Sequence, residues 1–281
     1  MARLEENRYG KTGVRLMKVT RQDGVHTVRE WTVRVLLEGD FDHTFRTGSN
    51  ADLLTTDTMK NTVYSRANES KADSMEAFAE ELTGFLLSRN SRVSSVEVHI
   101  AQAMWKRLTI GGEPHPDSFM RGSDETQTAT LRRTQTGEGS LHCGFENMVL
   151  LKTAKSGFEG YKKDELTTLK ETADRLMGTS ITASWTYTSP ASNYNRLRNR
   201  IRETMLTTFA RHNSKSVQQT LFAMAEDALA AVPELLEVSL TMPNIHNILV
   251  DLTPFGQTNE NEIFMPISDP SGYIYARVTR D

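Results

Sequence analysis

The order of hydrophobic patterns, which occurs twice along the chain, is the feature that most constrains the fold. In each half, segments in which apolar residues alternate with polar ones flank a pair of segments with helical spacing. Alternation predicts strands with one buried face, and a spacing of three or four predicts helices with one apolar side. The chain is therefore predicted to be α+β, with tandem units of two strands, two helices and two strands.

Each unit is predicted to be a four-stranded antiparallel sheet with two helices on one face. The first unit is expected over residues 1–137 and the second over 138–281. Such sheets leave open edges, which favour assembly of a homo-oligomer. In the first unit we expect a hairpin over 14–37 turning at Asp23-Gly24, helices over 57–64 and 74–90, and a second hairpin over 96–134 broken by Gly111-Gly112 and 114–116.

The second unit follows the same order around a longer insertion. Ser216 is expected to cap its second helix, which ends before Pro233. The expected segments are an extended run over 147–153, an insertion over 167–177, a strand over 180–187, helices over 197–209 and 216–232, and strands over 236–242, 248–252 and 272–279.

Composition and charge exclude several classes of protein. Hydrophobic residues make up 37% of the 281 residues and charged residues 25%, which is typical of globular proteins, and no apolar run reaches the length of a membrane span. A net charge of -3 gives no reason to expect nucleic acid or an anionic membrane as a partner. The single cysteine, the absence of a secretory pattern and the lack of a carboxyl-terminal Ser-Lys-Leu favour the cytoplasm.

The familiar cofactor and nucleophile motifs do not occur. No two of the seven histidines are three or four residues apart, and neither a glycine-rich nucleotide loop nor a GxSxG motif is present. We therefore expect no metal and no cofactor. Polar residues at the predicted element ends remain, although each has a structural explanation: Thr56 could cap a helix, Lys11 could be solvated and a lone His246 is more often structural.

Several blocks of sequence belong together when the whole chain is considered. They are Tyr9-Gly-Lys11, Thr56-Asp57-Thr58-Met59-Lys60-Asn61-Thr62, Asp164 to Arg175, Ser216-Val217-Gln218, Met242-Pro-Asn244-Ile-His246 and Asp269-Pro-Ser-Gly272. In combination these blocks resemble the urate oxidase family. They occur in the family's order from the first predicted strand to the last, so the resemblance covers essentially the whole chain.

The resemblance implies tandem tunnel-fold units that assemble into a β-barrel tunnel as a homotetramer, with active sites at subunit interfaces. It implies oxidation of urate by dioxygen and water to 5-hydroxyisourate and hydrogen peroxide, without a cofactor. Phe158 would stack on the purine, Leu169 and Val217 would line the pocket, and Arg175 and Gln218 would bind opposite edges of the urate anion.

The remaining roles concern protons and dioxygen. Lys11, Thr56 and His246 resemble the family's proton relay, and the resemblance implies that Thr56 and Asp57 also belong to the substrate site. Asn244 would hold dioxygen or the attacking water above the ring.

Two alternatives have a different chemistry. A tunnel-fold relative that acts on pterins or guanine nucleotides would typically use zinc or a reactive cysteine, whereas a non-catalytic pterin- or purine-binding protein could lack the relay.

Overall fold

The computed structural model describes residues 2–191 and 193–280. The chain divides into two compact units, Met1–Gly144 and Phe145–Asp281. Within the described ranges, none of the helices combines the length and the apolar character that crossing a membrane would require.

The first unit contains a four-stranded antiparallel sheet whose strands follow one another in chain order. Its helices lie in the connection between the second and third strands. The elements are β1 (Tyr9–Gln22), β2 (Val25–Gly39), α1 (Asp42–Thr47), α2 (Thr56–Glu69), α3 (Met75–Arg89), β3 (Val93–Ile110) and β4 (Glu113–Thr134). The predicted hairpins and both predicted helices are present, while the short helix α1 was not predicted.

The β1–β2 hairpin follows directly from its sequence. Asp23 and Gly24 both have positive φ, 49° and 77°, as a two-residue turn between twisted strands requires. Every second side chain of β2 from Trp31 to Leu37 is buried. The Trp31 ring stacks on Phe78 of α3 at a centroid distance of 5.1 Å, so this face of the sheet carries the core beneath the helix.

The β3–β4 hairpin is longer than predicted. Gly111 and Gly112, with φ of 63° and 92°, form its turn, and the β3–β4 pairing shifts register at two places. The expected break at 114–116 is wrong, because Pro114 lies in β4 opposite Thr109. Pro114 is tolerated there because it is the second residue of the strand, next to the turn.

The second unit has the sheet order β5-β6-β7-β10, and β8 pairs with both β6 and β9. The elements are β5 (Gly139–Lys152), β6 (Met177–Tyr187), α4 (Tyr194–Arg211), α5 (Val217–Ala231), β7 (Leu235–Thr241), β8 (Asn244–Leu249), a 3₁₀ turn (Thr253–Phe255), β9 (Phe264–Gly272) and β10 (Tyr275–Thr279). The strand predicted over 248–252 instead begins at Asn244 and ends at Leu249. The strand predicted over 272–279 is in fact the end of β9 followed by β10. This unit therefore carries a β8–β9 hairpin that the first unit lacks.

In the first unit a lysine on the first strand binds the end of a helix. Lys18 Nζ donates to the carbonyl oxygens of Ala67, at 2.7 Å, and of Ser70, at 2.6 Å. Ser70 is the C-cap of α2, and Ala67 lies three residues before it. An ammonium group there satisfies carbonyls that have no partner within the helix.

The second unit contains the same arrangement. Lys152 Nζ donates to the carbonyl oxygens of Phe209, at 3.0 Å, and of His212. His212 is the C-cap of α4, and Phe209 again lies three residues before it. Burial lowers the pKa of Lys152, as it lowers the pKa of Lys18, where the charges of Arg29 and Lys71 add to the effect.

Candidate active site

A cavity of about 620 Å³ opens in the second unit along β8. It is bounded on one side by the loop that precedes β6 and on the other by the β8–β9 hairpin. Four predicted site residues line it: Leu169, Arg175, Asn244 and His246. The structure thus brings together side chains that are up to 77 residues apart, His246 less Leu169 in the numbering of the chain.

Arg175 is the cation of this cavity. Its guanidinium carbon lies 5.2 Å from the centroid of the Phe158 ring, and burial lowers the pKa of the guanidinium. Its Nε is buried and makes no hydrogen bond within residues 2–191 and 193–280. An arginine that stacks on an aromatic ring and keeps unused donors is suited to bind a flat anion.

Phe158 is held by the loop that contains Arg175. Its backbone exchanges two hydrogen bonds with Thr172, with N···O distances of 2.7 and 3.2 Å. Its ring stacks on Tyr161 at 5.0 Å, and the Tyr161 hydroxyl donates to the carbonyl oxygen of Leu169 at 2.5 Å. Tyr161 was not among the predicted site residues, and because this segment is irregular its spacing from Phe158 gives no signal that would have indicated the contact.

Asn244 and His246 enter the cavity from β8. Asn244 pairs with Thr179 of β6 and with Gly272 of β9, and His246 pairs with Ile267. Both side chains are half-buried, and the β8–β9 pairing shifts register between them. Both were predicted to lie after the strand over 236–242. They do follow β7, which ends at Thr241, and they also form the beginning of β8.

Val217 and Gln218 stand in the first turn of α5. The Ser216 hydroxyl accepts a hydrogen bond from the Gln219 backbone N–H at 3.1 Å, so the predicted cap is confirmed. Val217 is buried, whereas Gln218 is exposed. Neither of them lines the 620 Å³ cavity, nor does Phe158.

The predicted site residues of the first unit lie at the beginning of β1 and of α2. Lys11 is half-buried, at an irregularity where the β1–β2 pairing shifts before Val14. The cap of α2 is Thr55, whose hydroxyl accepts from the Thr58 N–H at 3.1 Å. Thr56 is therefore not the cap, and its hydroxyl has no hydrogen-bond partner in the described part of the chain.

Asp57 follows Thr56 and is paired within the helix. It accepts hydrogen bonds from Lys60 at 2.5 Å and Asn61 at 3.0 Å. The bond from Lys60 is the largest cause of the lowered pKa of Asp57, and the charge of Lys11 also contributes. The latter effect indicates that Lys11 is within electrostatic reach of the first turn of α2.

No cluster of three or more histidine, cysteine or acidic side chains suited to a metal ion occurs among the residues that the structure describes. Cys143 is a buried free thiol.

The family model for uricase matches residues 7–132 and 141–275. The chain belongs to the uricase family. It is 36% identical over 283 residues to the uricase of Dictyostelium discoideum, covering 100% of this chain and 98% of that one. It is 34% identical to the uricase of Aspergillus flavus, again covering 100% and 98%.

Solved uricase structures have the same fold. The crystal structure of the uricase from Arthrobacter globiformis superposes with a TM-score of 0.93 at 34% identity, covering 100% of this chain and 96% of that one. A uricase from Bacillus fastidious, at 22% identity, superposes with a TM-score of 0.86. The predicted uricase membership and the predicted tandem α+β tunnel-fold are thereby confirmed.

Proposed function

We propose that the protein is a urate oxidase, which converts urate, dioxygen and water to 5-hydroxyisourate and hydrogen peroxide. The observation that carries the proposal is the Arg175–Phe158 pair beside the cavity, in a chain that matches uricases over its whole length. A stacked guanidinium with free donors can bind a planar anion by charge and by parallel hydrogen bonds.

In this proposal, selectivity for urate comes from two polar groups at opposite edges of the ring. Arg175 gives two parallel hydrogen bonds to one edge, and the Gln218 amide offers a donor and an acceptor to the other. Phe158 stacks on the ring, while Leu169 and Val217 provide apolar contacts. A rigid pair of this kind rejects rings that lack the matching edges, because buried polar groups would then be left without partners.

The chemistry begins with removal of a further proton from urate, which makes the ring electron-rich enough to reduce dioxygen. Thr56 would pass that proton towards Lys11, and His246 would receive or return protons. The ring transfers two electrons to dioxygen, and a hydroperoxide forms at C5, the carbon that carries the hydroxyl group in 5-hydroxyisourate. Water then displaces peroxide, which leaves with the two electrons and two protons.

Asn244 and Asp57 complete the proposed site. The Asn244 amide would hold dioxygen, and later water, above the ring. Asp57 would fix the first turn of α2 through Lys60, which keeps the neighbouring Thr56 hydroxyl in place.

We further propose that the protein acts as a homotetramer in which Lys11, Thr56 and Asp57 of one subunit complete the site formed by the second unit of a neighbour. The support is that these residues and Arg175 belong to different compact units. The cytoplasm is the proposed location, because the lone buried cysteine fits a reducing compartment.

The decisive experiment follows urate absorbance, dioxygen uptake and peroxide in the purified, chelator-treated protein. We expect one dioxygen consumed and one peroxide formed for each urate. An Arg175→Ala variant measured in parallel excludes a contaminating oxidase. Absence of urate loss in the folded wild-type protein would refute the proposal.

A further inference from the structure

A short segment, residues 156–158, lies between two parts of the candidate site. On one side, the Ser156 carbonyl accepts a hydrogen bond from the Arg175 N–H at 2.7 Å. The Ser156 N–H donates to Asp174 Oδ1 at 3.1 Å, and Phe158 pairs with Thr172. The segment that holds Phe158 is therefore tied to the segment that holds Arg175.

On its other side, the same segment pairs with the connection between α4 and α5. The Gly157 N–H donates to the Ser214 carbonyl at 2.8 Å, and the Ser214 N–H donates to the Lys155 carbonyl at 2.9 Å. On the first side, the segment that contains Ala173 lies so close to Gly157 that a Cβ added there would be 2.8 Å from the Ala173 carbonyl oxygen. Three pieces of chain are thus hydrogen-bonded side by side, with 156–157 in the middle.

Two buried hydroxyls connect this arrangement to the first turn of α5. Thr220 Oγ1 donates to Ser214 Oγ at 2.7 Å, and Ser214 Oγ donates to the carbonyl of Ser216 at 3.0 Å. Ser214 is 2% exposed and Thr220 is fully buried. Ser216 caps α5, so these bonds fix the helix end that carries Val217 and Gln218.

We infer that Ser214 and Thr220 are positioning residues that hold Gln218 at a fixed spacing from Phe158 and Arg175. The inference rests on the proposed function, since the spacing matters only if these side chains bind one ring. Substrate clamps need their groups held to within about 0.5 Å, which requires supporting hydrogen bonds behind them. The buried hydrogen bond between Thr220 and Ser214 supplies that support behind the first turn of α5.

The test compares Thr220→Val, which keeps the side-chain shape without a hydroxyl, with Thr220→Ser, which keeps the hydroxyl. Thr208→Val is the matched control. Thr208 is also buried on this helix pair, but its hydroxyl donates at 2.6 Å to Asp227, which lies ten residues after Val217, the first residue of α5. The readouts are KM and kcat for urate, urate affinity under anaerobic conditions, and thermal stability.

For Thr220→Val we expect KM and the anaerobic Kd for urate to rise roughly tenfold while kcat changes by less than about twofold, the pattern of lost ground-state binding. Thr220→Ser should have a KM and an anaerobic Kd for urate close to those of the wild type. Thr208→Val should lower only stability.

An unchanged KM and Kd in folded Thr220→Val would overturn the inference and leave the proposed function intact. A wild-type protein inactive towards urate would overturn both. If Thr220→Val does not fold, Ser214→Ala provides the same comparison by removing the hydroxyl that accepts from Thr220.

Discussion

The guanidinium carbon of Arg175 lies 5.2 Å from the centre of the Phe158 ring, and its Nε has no partner among residues 2–191 and 193–280. One charged side chain therefore both stacks on the aromatic ring and retains donors for a ligand. A carboxylate partner would have used those donors. In the proposed function, Arg175 and Phe158 bind the substrate whereas Thr56 takes part in proton transfer, so substitutions in the two groups should change different kinetic constants.

Arg175→Ala should raise KM for urate roughly 10- to 100-fold, as expected for loss of hydrogen bonds to a charged ligand, with a smaller change in kcat. Arg175→Lys should not restore binding, because an ammonium group lacks the planar pair of donors. Steady-state kinetics and anaerobic urate titration measure both effects. Full recovery with lysine would show that charge alone is sufficient.

Thr55 and Thr56 are adjacent threonines for which we predict opposite defects. Thr56→Ala should lower kcat by about 100-fold or more, as loss of a proton-transfer group does, and leave stability nearly unchanged. Thr55→Ala removes the cap of α2 and should cost about 1 kcal/mol of stability, with kcat close to wild type. Kinetics and chemical denaturation of both variants provide the comparison, and matching defects would contradict the assignment.

Glu30 should make stability sensitive to acid. Its hydrogen bond from Arg15, followed by one from Trp105, lowers its pKa below the usual 4.5. A lowered folded pKa means that the stabilisation is present above about pH 4.5 and disappears as the pH falls through the folded value.

Glu30→Gln should accordingly lower the thermal midpoint at neutral pH by roughly 2–4 °C, the shift expected for about 1 kcal/mol in a chain of this length. The difference in thermal midpoint between Glu30→Gln and the wild type should narrow as the pH falls below the usual pKa of a glutamate. Thermal unfolding at a series of pH values measures this difference. A difference that stays constant into the acid range would exclude the Glu30 carboxylate as the source of the stabilisation.

Lys152→Met should destabilise the protein by about 1–3 kcal/mol, because the buried carbonyl of Phe209 loses its donor. Lys18→Met should destabilise the protein less, since Lys18 is only half-buried and water can replace its ammonium group. Denaturant unfolding of the two variants measures the difference. A larger loss at Lys18 would contradict the role of burial.

Activity should depend on assembly. If residues of two subunits complete each site, specific activity should fall on dilution together with the fraction of tetramer, measured by light scattering. A monomer with full activity would refute the shared site. At a low urate concentration, a mixture of Thr56→Ala and Arg175→Ala should be more active than either variant alone, because some hybrid sites would then contain both wild-type residues.

Local chemistry explains which elements could be predicted from the sequence. Ser216 was identified as a cap because capping depends on the next three residues alone. Thr55 was missed in favour of Thr56, since adjacent threonines carry the same chemical signal. The β8–β9 hairpin was missed because it depends on non-local pairing with β6.

The candidate site was less accessible to pattern analysis. The loop that holds Phe158 and Arg175 has no periodicity, so only the family resemblance indicated those residues. Their contact, and the hydrogen bonds through Ser156 and Ser214, arise from tertiary packing. Sequence patterns do not encode such contacts.

Lys18 and Lys152 occupy equivalent positions in the two units, although the predicted site residues of the two units differ. In each half the next helix cap lies four residues after the C-cap whose carbonyl the lysine binds, Ser74 after Ser70 and Ser216 after His212. Aligned on that landmark, Glu76 is the counterpart of Gln218. Glu76 is 2% exposed, whereas Gln218 faces solvent. Equivalent positions thus carry a buried carboxylate in one unit and an outward-facing amide in the other, so the repeated helix anchor does not impose repeated chemistry.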